Sequence, residues 1–185
     1  RLAFLMMTAT AVTSLAAQSN ARSEAANWEW KSLFDGKTLT GWKVANFGGE
    51  GDVTVEDGTI RLEFGSSLTG ITYQGPLPTT NYEVSLEAQR LDGTDFFCAL
   101  TFPVDKSHCS LVCGGWGGAV VGLSSIDGRD ASENETTQYM SFEKNRWYHI
   151  RVRVQPERIQ AWIDEKQVVN QDIRGRRIGM RIEVE

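Results

Sequence analysis

The chain has 185 residues, room for one domain with a true core, and 41% of them are apolar against 23% charged, which excludes a disordered chain. A formal charge of −5 with scattered Lys and Arg excludes nucleic acid as the main partner, because no basic stripe is present to neutralise phosphates. Four prolines against 18 glycines point to turn-rich β structure.

Residues 1–17, RLAFLMMTATAVTSLAA, place an Arg before an uncharged apolar run that closes on Ser14-Leu15-Ala16. This is the layout of a secretory signal peptide. The run is short against the ~20 residues of a membrane span and carries several threonines. The domain is therefore expected to be secreted or periplasmic, with no stable membrane span after the leader is cleaved. Residues 18–29 read as a polar linker, and residues 30–185 as one domain.

That domain opens on SLFDGKTLTGWKV, with a turn at Asp35-Gly36 and Trp42 expected to anchor the first strand against a sheet. DVTVEDGTIRLEF reads as a hairpin turning at Asp57-Gly58. In YEVSLEAQRL, Tyr82, Val84, Leu86 and Ala88 alternate with Glu83, Ser85, Glu87 and Gln89, the period of a half-buried strand. FFCALTFPV and SHCSLVC suit a hairpin turning at Asp105-Lys106, which would set Cys98 opposite Cys113, Leu100 opposite Leu111 and Phe102 opposite Cys109. A Cys98–Cys113 bridge and three small buried side chains are both readings of that pattern. RWYHIRVRVQ alternates again, with Trp147, His149, Arg151 and Arg153 opposing Tyr148, Ile150, Val152 and Val154. A further hairpin is expected at Asp164-Glu165. RIGMRIEVE reads as a strand under way, so a last strand or two is expected beyond it.

Many short alternating strands between turn signals predict an antiparallel sandwich or barrel. Its wet side would carry the polar residues of 82–91 and 146–154 as a ligand-facing surface.

The stretch Leu33, Phe34, Asp35, Gly36, Lys37, Leu39, Gly41 and Trp42 resembles the opening signature of the 3-keto-disaccharide hydrolase domain family. VTVEDGTIRLE, NYEVSLEAQRL and NRWYHIRVRVQPERIQAWIDEKQVV are similar to later strands of that family. The resemblance runs from about Trp30 to the end. It implies a concanavalin-like, two-sheet antiparallel jelly-roll sandwich, an exported hydrolase or lyase acting on 3-keto glycosides, and a carbohydrate partner. The family's acidic strand residue matches Glu87, and its following Arg falls at Gln89 or Arg90. Asp95-Phe96-Phe97 stands where members commonly carry Asn-Ser-Gly. The alternative is a non-catalytic carbohydrate-binding or adhesion sandwich of the laminin-G or lectin kind.

Chemistry requires an acid–base group beside the sugar. Glu87 is the main candidate, with Asp95 and His149 assisting and with Arg90, Arg151 and Trp116 as substrate contacts. Two carboxylates would serve glycoside hydrolysis. One base with a His or Arg to stabilise an oxyanion would serve elimination next to a ketone. His108 is the remaining histidine. In CGGWGG, glycines around Trp116 suit either a sugar-stacking platform or a filled strand crossing. Asp127, Asp130, Glu133 and Glu135 form an acidic loop whose oxygens suit either calcium or solvent. No residue spacing calls for another metal site. Asn134-Glu135-Thr136 matches a glycosylation acceptor.

Overall fold

A computed structural model describes residues 29–66 and 68–181. The expected leader and nearly all of the linker lie outside them. The strands, in chain order, are β1 (Trp42–Val44), β2 (Val53–Glu56), β3 (Thr59–Leu62), β4 (Ile71–Tyr73), β5 (Tyr82–Gln89), β6 (Cys98–Val104), β7 (Ser107–Gly114), β8 (Val120–Ser124), β9 (Gln138–Tyr139), β10 (Trp147–Gln155), β11 (Arg158–Ile163) and β12 (Lys166–Asp172).

Two four-stranded antiparallel sheets, ordered β12-β11-β10-β5 and β6-β7-β8-β9, form the body, and β1-β4 and β2-β3 add two-stranded ribbons. The reason is the period of two. On β10, Tyr148, Ile150, Val152 and Val154 are fully buried, while Trp147, His149, Arg151 and Arg153 face outward. Phe102, Cys109, Leu111, Val121 and Leu123 from the second sheet meet them in one core with Ile159, Ala161 and Ile163. The fold is an all-β antiparallel sandwich, as expected.

The turns fall where their residues ask for them. Asp57 (φ 49°) and Gly58 (φ 78°) take the left-handed backbone of a two-residue hairpin turn. Asp105 and Asp164 do so at the next two predicted turns. The β6–β7 register pairs Cys98 with Cys113, Leu100 with Leu111 and Phe102 with Cys109, the predicted partners. All three cysteines are free thiols. A hydrogen bond with Cys98, then burial, raises the Cys113 thiol well above the usual range, and burial pushes Cys109 up to about 12.

In the opening segment Asp35 accepts from Lys37 N, Thr38 N and Thr38 Oγ1, which closes the turn. Trp42 Nε1 donates to Leu33 O at 2.9 Å, and its ring meets Tyr73 edge-on at 5.2 Å. Trp42 thus anchors this segment to the β1–β4 ribbon rather than to a main sheet. The outer side of β7 and β8 is covered by loop 125–137, with Ala131 packed on Val112 and Val120. Residues 177–181 form no strand. Ile178 bridges to Ile126, and Gly179 exchanges main-chain hydrogen bonds with Ser125. The rest of the expected terminal strand, residues 182–185, is outside the described residues.

Candidate functional site

β5 and β10 pair antiparallel so that Glu87 stands opposite His149, Ser85 opposite Arg151, Glu83 opposite Arg153 and Gln89 opposite Trp147. Directly opposed side chains on one face have Cβ atoms ~5 Å apart, so the register alone sets Glu87 beside the imidazole. The two residues were 62 positions apart in the sequence reading; the sheet makes them neighbours (149 − 87 = 62).

Glu87 is exposed on the outer face and makes no hydrogen bond or ion pair among the described residues. Its carboxylate is free to work as a base. His149 is held from two sides. Its Nε2 lies 2.7 Å from Ser85 Oγ, and its main-chain N–H donates to Asp164 Oδ1 at 3.0 Å. Asp164 is in turn steadied by Arg146 Nη2 at 2.7 Å.

The other acid on this strand is committed elsewhere. The Glu83 side chain is only 4% exposed, accepting from Arg151 Nη1 at 3.2 Å and Arg153 Nε at 2.7 Å. Both guanidinium groups also lie over Trp162, with Cζ 4.3 and 5.5 Å from the ring centroid. Trp162 is therefore covered, whereas Trp147, two positions before His149 on the same face, is 47% exposed. The face presents one free carboxylate, one oriented imidazole, a fixed cationic pair and an uncovered aromatic ring. It does not present the two facing carboxylates of a glycosidase. It suits removal of an acidified C–H proton with stabilisation of the resulting oxyanion.

The six residues singled out from sequence fall into two groups. Glu87, His149 and Arg151 share the outer face of β5 and β10. Arg90, Asp95 and Trp116 gather elsewhere, around the end of β7. Arg90 is 7% exposed on the inward side of β5, where the alternation places residue 90 after Leu86 and Ala88. Its Nη2 donates to Asp95 O at 2.7 Å. The Asp95 carboxylate accepts from Phe96 N at 2.7 Å and from Gly117 N at 3.4 Å. Asp95 thus serves a turn in this second group, and no hydrogen bond joins it to Glu87 among the described residues. The cause is the strand alternation, which sends 87 outward and 90 inward.

His108 lies on β7 in the other sheet, paired with Pro103. It lines a groove of about 340 Å³ with Tyr73, Leu77, Thr79 and Lys106, to which neither Glu87 nor His149 contributes. The acidic loop is answered by arginines: Asp127 and Glu135 pair with Arg176, and Asp130 with Arg181. No metal-holding cluster of three or more His, Cys, Asp or Glu side chains occurs among the described residues. Asn134 is 8% exposed, and its Nδ2 donates to Leu123 O, Arg129 O and Asp130 O. Its amide nitrogen is spent on the loop, which removes it as a glycan acceptor in the folded protein.

Sequence reasoning missed Ser85 as the group that orients the His149 ring and Asp164 as the acceptor of its main-chain N–H. Ser85 was on the polar side of its strand, a signal that needed the β5–β10 register to become specific.

A family model described as the 3-keto-alpha-glucoside-1,2-lyase-like domain matches residues 29–181. No curated protein and no solved structure matches the chain.

Proposed function

The chain belongs to that 3-keto-alpha-glucoside-1,2-lyase-like family, and from this premise we propose that it cleaves 3-keto glycosides by elimination. The observation that carries the reading is the free Glu87 carboxylate set opposite a His149 held by Ser85 at 2.7 Å.

A ketone at C3 acidifies the C2–H bond of the sugar. Glu87 takes that proton, and the electron pair moves onto the C3 oxygen as an enolate. The Arg151–Arg153 pair provides the nearby positive field for this charge. The enolate then expels the C1 substituent: the C1–O bond breaks, a C1=C2 double bond forms, and the C3 carbonyl returns. The departing oxygen takes a proton from His149. Addition of water to the unsaturated product completes net hydrolysis. The exposed Trp147 offers a ring for the sugar face.

The leader layout of residues 1–17 supports action outside the cytoplasm. No helix among the described residues is long and apolar enough to cross a membrane. A binding-only sandwich is the second reading, favoured by Asp95-Phe96-Phe97 standing in place of Asn-Ser-Gly. Incubation of the protein with a 3-keto disaccharide separates the two. Release of the aglycone sugar with an ultraviolet-absorbing enone, lowered about 10²- to 10⁴-fold in Glu87→Gln, is expected. Saturable glycan binding with no turnover in either protein would establish the second reading instead.

A further inference from the structure

Arg90 carries a guanidinium, yet it is 7% exposed and enters no ion pair among the described residues. Its hydrogen bond goes to a neutral acceptor, Asp95 O, and its Nε is buried with no partner. Phe97 adds only a ring face, 5.3 Å from Cζ. Buried charges are ordinarily paired, because an unpaired one forfeits its hydration without return. The guanidinium is short of an anion.

Its surroundings are shaped by glycine. A Cβ on Gly114 would lie 2.7 Å from Arg90 Nη2, and one on Gly118 would lie 2.6 Å from Thr94 O, so both positions need an absent side chain. Between them Trp116 stands in left-handed backbone (φ 50°), 42% exposed, with the Arg181 guanidinium 5.5 Å from its centroid and Arg181 itself paired to Asp130 at 3.4 Å. Asp95 turns its carboxylate to main-chain N–H groups and offers Arg90 only its carbonyl. On the flank Lys144 is paired with Asp92.

We propose that this cluster takes the carboxylate of an acidic sugar, a uronate, with the carboxylate displacing the Asp95 carbonyl on Arg90 and the sugar ring against the exposed Trp116. Asp95 is held by its carbonyl bond from Arg90, the bond from the adjacent Phe96 N and one long bond from Gly117 N. A carboxylate that replaces the Asp95 carbonyl exchanges a neutral acceptor for a charged one able to bond two N–H groups at once. The saccharide half of this inference rests on the function proposed above, and the carboxylate half rests on Arg90 alone.

Calorimetric titration of the protein with D-glucuronate, D-glucose and acetate tests it. Glucuronate is expected to bind at least about tenfold more tightly than glucose, the preference a charge-assisted pair gives over a neutral hydroxyl. Arg90→Gln removes that preference. Trp116→Ala, a change at an exposed ring, weakens glucuronate and leaves acetate unaltered. Glu87→Gln binds glucuronate as the parent does, so loss of catalysis and loss of this site are separate results. Equal binding of glucose and glucuronate, or undiminished glucuronate affinity in a folded Arg90→Gln protein, would overturn the proposal. Should Arg90→Gln fail to fold, the parent's preference for glucuronate over glucose, with both sugars weakened and acetate unaltered in Trp116→Ala, decides the question.

Discussion

Single residues in this molecule do unequal work, and their partners show which. Asn134 satisfies three carbonyls through Nδ2 while its Oδ1 accepts from Thr136 N and Oγ1. Removing such a group leaves buried acceptors unpaired, at about 1–3 kcal/mol. Asn134→Ala is therefore expected to lower the unfolding free energy by that amount, read as a lower denaturant midpoint at unchanged slope. Ser85 works differently, touching only the His149 ring. On the proposed elimination, Ser85→Ala is expected to reduce kcat about tenfold while moving KM little, because orientation of His149 would matter most in the transition state. Steady-state kinetics on a 3-keto glycoside would check the split. Glu87 was legible from sequence as an outward strand acid, but its freedom was not, since nothing in the chain says that Glu83 rather than Glu87 takes both arginines.

At the scale of elements, charge ties pieces that alternation alone leaves loose. β5 and β10 are clamped by Glu83 between Arg151 and Arg153 on the wet face. The arginine side chains are each 32% exposed, so solvent screening discounts the loss, and Glu83→Ala is expected to cost about 1–2 kcal/mol in chemical denaturation. Loop 125–137 is tied to the chain after β12 by Asp127 and Glu135 on Arg176. The main-chain N–H of Arg177, then Arg176, holds the Asp127 carboxyl below its ordinary value, and Arg176 does the same for Glu135. Arg174 lowers Asp172 to about 2. These depressed carboxylates contribute stability above their unfolded values, and lose it as pH falls through the folded ones. Melting temperature should thus be level down to about pH 5 and decline below about pH 4. Arg176→Ala should shrink that acid-dependent decline, which thermal melts across the range would reveal. The acidic run was visible in the sequence; its cationic partners, 41 to 51 residues on (176 − 135 = 41; 181 − 130 = 51), were not.

The described body is two four-stranded sheets closed over one apolar layer. Ile150 sits in that layer with no exposure, and Ile150→Ala is expected to cost about 2–5 kcal/mol by thermal or chemical unfolding. Cys109 and Cys113 are fully buried with raised thiols, while Cys98 is partly exposed. Iodoacetamide should therefore modify the native protein at Cys98 alone and all three cysteines after unfolding. Strand identity, inward and outward faces, the Asp57-Gly58 and Asp105-Lys106 turns and the β6–β7 partners were determined by the sequence itself. Period-two alternation and left-handed turn residues are local properties that a chain carries before it folds. Only tertiary structure decided that Glu87 meets His149, that Arg90 turns inward beside Asp95 and Gly114, and that the acidic loop meets arginines. Those outcomes depend on which strands become neighbours and on how charges distant in the chain divide their partners, and neither is written in any short stretch of residues.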